Sequence, residues 1–362
     1  MARFEHGGDT YGCPPDLLDC SINLNPMGAP GPVLEGACRA VLDCARYPDP
    51  ACRGLRRAIA RRDGVEEDQI LCGNGASDLI YRMALACKLR QALLLAPTFS
   101  EYRRALEGVG CQIREHQLEE RTGFLPGEDL LEAIVPGVDL VFLCDPNNPT
   151  GRLMDGGLLG RVLSRCREAG AFLAVDQCFL ELTGGDPRRL TEELSGGGLL
   201  LLRALTKSYA LAGLRLGYGL CADGELMERL KQVRQPWSVS SVAQAAGLAA
   251  LGETGYVRAS TEAIARERRW LSGELTRLGL TVYGSEANYI FFRDPAGVDR
   301  SVRGRLYEAL LERRILIRSC ANYRGLDNTY YRVCVRLHED NEILIRELER
   351  ILAGADHLER QE

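Results

Sequence analysis

The chain has 362 residues, 46% of them hydrophobic and 26% charged, with a formal net charge of −5. That length allows a large core and two domains, and the mildly acidic balance argues against nucleic acid or an anionic membrane as the main partner. No uninterrupted apolar run approaches the roughly 20 residues of a membrane-spanning helix.

The opening segment, HGGDTYG through SINLNPMGAPG, is rich in Gly, Pro and Asn, which predicts an ordered arm over 1–30 rather than a helix. Its start, MARFEHGGDTYG, lacks the charged-then-apolar layout of an export signal, so a cytoplasmic location is expected. Short apolar runs then alternate with amphipathic stretches such as SDLIYRMALACKL and DGGLLGRVLSRCREAG. QILCG (69–73), QALLLA (91–96), DLVFLC (139–144), AFLAVD (171–176), GLLLLRAL (198–205) and LGYGLC (216–221) have the composition of strands buried on both faces. The alternation predicts an α/β fold over 31–250, a mostly parallel sheet with flanking helices. From about 250 a charged helix (roughly 254–278) leads to TVYGSEANYIFFR, ILIRSC, YYRVCVRL and a last helix, EDNEILIRELERILAGA. These predict a smaller α+β C-terminal domain over 251–362.

Fourteen cysteines are scattered with no C-x-x-C pair, and the four histidines are His6, His116, His338 and His357. Neither a metal site nor a disulfide framework is expected; cysteines serving as small core residues in a reducing compartment fit better.

Four stretches carry chemistry. In GNGASDLIYRM (73–83) a strand ends and a helix begins at about Ala76 or Ser77. Small residues there leave backbone amides facing outwards as an anion cup, and Ser77 could cap the helix and also donate to a phosphate. DPNNPTG (145–151) follows a strand at the sheet edge where ligands bind. As a turn it needs no function; as a binding turn, the amide of Asn148 can donate to a ring hydroxyl or phenolate. Asp176 ends an apolar strand, where an unpaired carboxylate is costly, and a protonated ring nitrogen would partner it. In LLLLRALTKSYALAGLRLGYG (199–219), six of the first eight residues are Leu or Ala, and Lys207 follows directly after them. A lysine there either snorkels to solvent or has its pKa pushed down to become a Schiff-base amine. Thr206 and Arg215 could hold a phosphate. Taken in order, these features describe one cofactor, pyridoxal phosphate.

HGGDTYG followed by DCSINLNPMG, then RYPDPACRGLRRAIA, GNGASDLIYRM, APTFSEY, CDPNNPTGRL, LTKSYALAGLRLGYG and IRSCANYRGL complete a pattern. The chain resembles the fold-type-I aminotransferase superfamily over essentially its whole length. Within it the sequence is similar to histidinol-phosphate aminotransferases and, more closely, to the threonine-phosphate decarboxylases of cobalamin biosynthesis. The resemblance implies that Lys207 carries the cofactor, Asp176 partners its pyridine nitrogen and Asn148 contacts its phenolic oxygen. It implies Phe99 stacked on the ring, and Gly75, Ala76, Ser77, Thr206 and Arg215 around the phosphate. Tyr47 of RYPDP would reach the phosphate of a neighbouring subunit, implying a homodimer with a shared site. Arg332 would hold the substrate carboxylate, with His6, Asn25, Arg318, Asn322 and Arg336 as candidates for the substrate phosphate.

There are departures from the aminotransferase pattern. Phe179 stands where aminotransferases have Tyr, Gln177 where Glu is usual, and Ala204 where Ser or Thr often helps the phosphate. The implied reaction is decarboxylation of O-phospho-L-threonine or O-phospho-L-serine for the cobamide nucleotide loop, with a histidinol-phosphate-type aminotransferase as the alternative.

Overall fold

The computed structural model describes residues 6–298 and 300–359. The first five residues of the expected arm, and position 299 with the last three of the expected C-terminal domain, lie outside the described residues.

From Gly7 the arm runs without a helix to residue 30 and contributes one short strand, β1 (Leu18–Asp19). The central sheet follows in chain order: β2 (Ile70–Asn74), β3 (Gln91–Ala96), β4 (Gln112–Gln117), β5 (Leu140–Cys144), β6 (Phe172–Asp176), β7 (Leu199–Ala204) and β8 (Leu216–Leu220). Its spatial order is β2-β8-β7-β6-β5-β3-β4, and β8 alone runs antiparallel to its neighbours. Six of these strands are the six apolar runs of the sequence. β4, QIREHQ, was not anticipated. It is an edge strand with one neighbour and half-exposed residues, so it carries no continuous apolar run.

Alternate strand residues feed two separate cores, which is why the inner strands are apolar throughout. Leu93, Val141, Leu143, Leu173 and Val175 pack under the helices Gly31–Val41, Arg53–Asp63, Gly156–Ala169 and Ser241–Gly252. Leu94, Phe142, Ala174, Leu200 and Leu202 pack under Gly75–Ala86, Ser100–Glu107 and Gly224–Gln232.

A second, antiparallel sheet contains β9 (Thr281–Val282) and β10 (Tyr289–Arg293), with the short β11 (Ile315–Leu316) preceding β12 (Arg318–Ser319) and β13 (Tyr330–Cys334). Its order is β12-β13-β10-β9, while β11 pairs in parallel with β1 of the arm. Ile264 and Leu271 of the Tyr256–Arg277 helix, with Leu344 and Leu348, cover it. The arm ties the two sheets together. Cys20 N–H donates to Leu316 at 2.8 Å, Cys334 N–H to Cys20 at 2.8 Å, and Asn25 N–H to the Lys207 carbonyl at 3.1 Å.

All fourteen cysteines are unbridged and ten are buried, consistent with small core residues. Among the described residues no helix is long and apolar enough to cross a membrane, and no cluster of His, Cys, Asp and Glu could hold a metal ion.

Candidate active site

β5, β6 and β7 end together at one edge of the central sheet, and the chain turns there bring polar groups over a cavity of about 290 Å³. Its walls include Lys207, Asp176, Asn148, Phe179, Arg332 and Arg318.

The first wall is the start of the Gly75–Ala86 helix. Gly75 adopts φ +77°, a conformation open to glycine, and a Cβ there would lie 2.6 Å from Arg215 Nη2. The missing side chain is what lets the guanidinium sit against the helix start. The N-cap, Asn74, supplies no side-chain cap, and its own N–H donates to Asp78 at 2.9 Å. The first-turn amides therefore form a donor cup beside Arg215, Thr206 and Ser77. Ser77 does not cap the helix: because the helix begins at Gly75, this residue lies within the first turn. Arg215 donates to the Ala212 carbonyl at 3.3 Å and has no ion-pair partner among the described residues.

Asp176, at the end of β6, is buried. Its Oδ1 accepts the Cys178 N–H at 3.0 Å and its Oδ2 accepts the Tyr102 hydroxyl at 2.8 Å. Burial pushes its pKa up; the Cys178 donors, the Tyr102 hydroxyl and Lys207 pull the other way.

Lys207 follows β7 on a single helical turn, Leu205–Ser208, and opens its amine onto the cavity. Burial above all, with the guanidiniums of Arg332 and Arg215, lowers its pKa from 10.5 to about 8 against the opposing pull of Cys178 and Asp176. The snorkelling alternative fails on this geometry. The amine lies 5.6 Å from the centre of the Phe179 ring, which in turn packs edge-to-face with Tyr289, ring centres 5.0 Å apart.

Asn148 lies in the turn after β5. Its Oδ1 accepts from Arg332 Nη1 and from the Tyr323 hydroxyl at 3.3 Å, which leaves its Nδ2 donor for the cavity. Arg332, on β13, is 5% exposed. Its Nη2 donates to the Ser21 carbonyl at 2.8 Å, its Nε has no partner, and no carboxylate pairs with it among the described residues. A buried guanidinium satisfied only by neutral groups is a ready seat for a ligand anion. Arg318 lies further out over the Tyr323 ring, beside His6 of the arm and Asn322. His6 contacts Glu101 Oε1 at 2.8 Å, and Phe99 and Ala204 also line the cavity.

Four expected side chains are not brought into this cavity; one of them, Asn322, lines the neighbouring one, where its Oδ1 accepts from Arg318 at 2.7 Å. Asn25 is buried, but its amide is spent on the Ser208 carbonyl at 2.8 Å and Ser260 Oγ at 2.7 Å, so it braces the arm against the Lys207 turn. Arg336 pairs with Asp340 at 2.9 Å and is not among the cavity's lining residues. Tyr47 is 79% exposed and stacked on Trp237 at 4.5 Å. Gln177 faces away from the cavity, where it accepts from Arg203 at 3.2 Å. Conversely, sequence reasoning missed Tyr102, Cys178 and Tyr323. Tyr102 and Tyr323 lie in quoted motifs, APTFSEY and IRSCANYRGL, but nothing in a single sequence separates them from core aromatics.

An amide cup flanked by arginine, a carboxylate, an uncommitted amide donor and an amine of lowered pKa fit a planar phosphorylated pyridine that bears an aldehyde. Residues 21–348 match the aminotransferase class I and II family. The chain is 39% identical to the threonine-phosphate decarboxylase of Salmonella typhimurium, covering 98% of this chain and 99% of that protein. It is 32% identical to a histidinol-phosphate aminotransferase of Methanothermobacter thermautotrophicus, covering 93% of this chain and 90% of that one. Among solved structures, the L-threonine-O-3-phosphate decarboxylase of Porphyromonas gingivalis superposes with a TM-score of 0.81 at 25% identity, covering 93% of this chain and 100% of that one. The chain belongs to the aminotransferase class I and II family, as an enzyme whose cofactor is pyridoxal 5′-phosphate.

Proposed function

We propose that this enzyme decarboxylates O-phospho-L-threonine, or O-phospho-L-serine, to the corresponding amino-alcohol phosphate. The observation that carries the reading is a pair of guanidiniums at two depths: Arg332 buried against Asn148, and Arg318 towards the mouth beside His6. A phosphorylated amino acid brings both anions on one molecule, whereas histidinol phosphate has no α-carboxylate and would leave Arg332 to the 2-oxoglutarate half-reaction. The full-length similarity to a threonine-phosphate decarboxylase points the same way.

The cofactor, when bound, supplies a conjugated ring that takes up the electron pair released at Cα. Lys207 would hold its aldehyde carbon and would supply the proton returned to Cα. Asp176 would keep a proton on the ring nitrogen, and Asn148 would donate to the phenolic oxygen. Phe99 would cover the ring, while Gly75, Ala76, Ser77, Thr206 and Arg215 would take the phosphate. Phe179 offers no hydroxyl, so Asn148 is the donor left for the phenolic oxygen. Arg332 would orient the substrate carboxylate and Arg318 with His6 would take the substrate phosphate, so that the two anions are held at separate points.

The exposed Tyr47 completes the phosphate site of a second copy in a homodimer. The working division is an arm (1–30), a large domain (31–250) and a small one (251–362), in a cytoplasmic enzyme serving the cobamide nucleotide loop.

The test is to incubate cofactor-loaded protein with O-phospho-L-threonine and measure CO₂ and phosphorylated amino alcohol. Glutamate formed from histidinol phosphate and 2-oxoglutarate, with no CO₂ release from phosphothreonine, would make it an aminotransferase.

A further inference from the structure

Asp176 has a neighbour whose part in the chemistry is unassigned. Tyr102, on the Ser100–Glu107 helix, is completely buried, and its hydroxyl donates to Asp176 Oδ2 at 2.8 Å. The ring is fixed in that pose. Phe142 of β5 stacks on it at 4.2 Å, and Phe99 meets it edge-on at 5.5 Å. A tyrosine that only filled space here would need no hydroxyl.

The other titratable groups around Asp176 are Cys144, Cys178, Lys207 and Tyr289. Burial raises the pKa of both thiols and of both phenols well above their ordinary values, so each stays a neutral donor rather than a competing anion. With Cys178 N–H on one oxygen and the phenol on the other, the carboxylate plane is pinned from the protein side. Its remaining lone pairs are left for the cavity.

We propose that Tyr102 is a positioning residue that keeps Asp176 ionised and aimed at the cofactor's ring nitrogen. The inference rests on the assignment of Asp176 as that nitrogen's partner. Without the phenol the carboxylate becomes more basic and draws the proton off the ring, so the ring accepts electrons less well. A less positive ring also lets the Lys207 nitrogen hold its own proton more tightly. Neither effect touches the substrate anions.

The variant is Tyr102→Phe, which keeps the ring and its stacking. In the cofactor-loaded enzyme, the pH midpoint of the bound cofactor's absorbance change, read without substrate, should move to higher pH. With O-phospho-L-threonine, kcat should fall about tenfold or more for the loss of a hydrogen bond to a charge, while KM stays within about threefold. In an Asp176→Asn background the same substitution should add no midpoint shift. An unchanged midpoint in Tyr102→Phe overturns the proposal, as does an equal shift in both backgrounds, which would mark a packing role. If Asp176→Asn alone leaves midpoint and kcat at their wild-type values, the underlying assignment fails and this inference falls with it. Because the midpoint needs no substrate, it stands whichever reaction the enzyme performs.

Discussion

Replacing Lys207 by methionine should make the cofactor-free protein more stable at neutral pH, the reverse of the usual outcome for a buried substitution. Burial lowers the folded-state pKa of Lys207 from 10.5 to about 8. At about 1.4 kcal/mol for each tenfold change in proton affinity, keeping this amine charged costs the folded chain about 3 kcal/mol, or less where cavity water screens it. The direction with pH follows from proton counting. Below pH 8 both folded and unfolded chains carry the proton, so the cost is fully present. Between about 8 and 10.5 the folded chain releases it while the unfolded chain keeps it, and stability rises with pH until the cost is gone. Methionine has similar bulk and no charge to bury. With an unfolding entropy of about 0.8 kcal/mol/K for a chain of this length, Lys207→Met should raise Tm by about 4 °C at pH 7. The gain should shrink towards zero by pH 10. Melting curves of the two cofactor-free proteins from pH 6.5 to 10 measure this. A methionine variant that melts lower at pH 7, or a difference that does not change with pH, would refute the reasoning.

Three other substitutions probe separate parts of the structure. Arg332→Gln removes the buried cation beside Asn148 and should lower kcat/KM for phosphothreonine by about 100-fold or more in steady-state assays, while a loss under about threefold would contradict its role. Asp63→Ala strips the buried Arg203 guanidinium of the carboxylate it meets at 3.1 Å, on the sheet face away from the cavity. That should cost about 3–5 kcal/mol, seen by calorimetry as a drop of about 4–6 °C. Gly75→Ala places a Cβ 2.6 Å from Arg215 Nη2 at a positive φ. Spectrophotometric titration should find the cofactor bound about tenfold more weakly as that guanidinium is displaced.

The parallel core was legible because strands buried on both faces must be apolar at nearly every position, and most of these runs are bounded by a Gly, Pro, Asp or Asn. β4 escaped because an edge strand owes its pairing to backbone bonds with β3, not to its side chains. Lys207, Asp176, Asn148 and Arg215 stood out as polar residues that interrupt or end apolar runs, and the fold converges all four on the same cavity. Asn25 and Arg336 show the opposite case. Each is a polar residue in a suggestive motif, but its hydrogen-bonding capacity is consumed by partners far away in sequence, Ser260 and Asp340. Tyr102 was invisible for a related reason, since its bond to Asp176 spans 74 positions and exists only once two strands and a helix have met.

The central claim is that one amine at the floor of this cavity carries the cofactor. Borohydride reduction of the pyridoxal-phosphate-loaded enzyme, followed by peptide mass mapping, tests it most directly. A single pyridoxyl group fixed on Lys207, and absent from Lys207→Met, is the predicted result; label on another lysine, or none at all, would contradict the account.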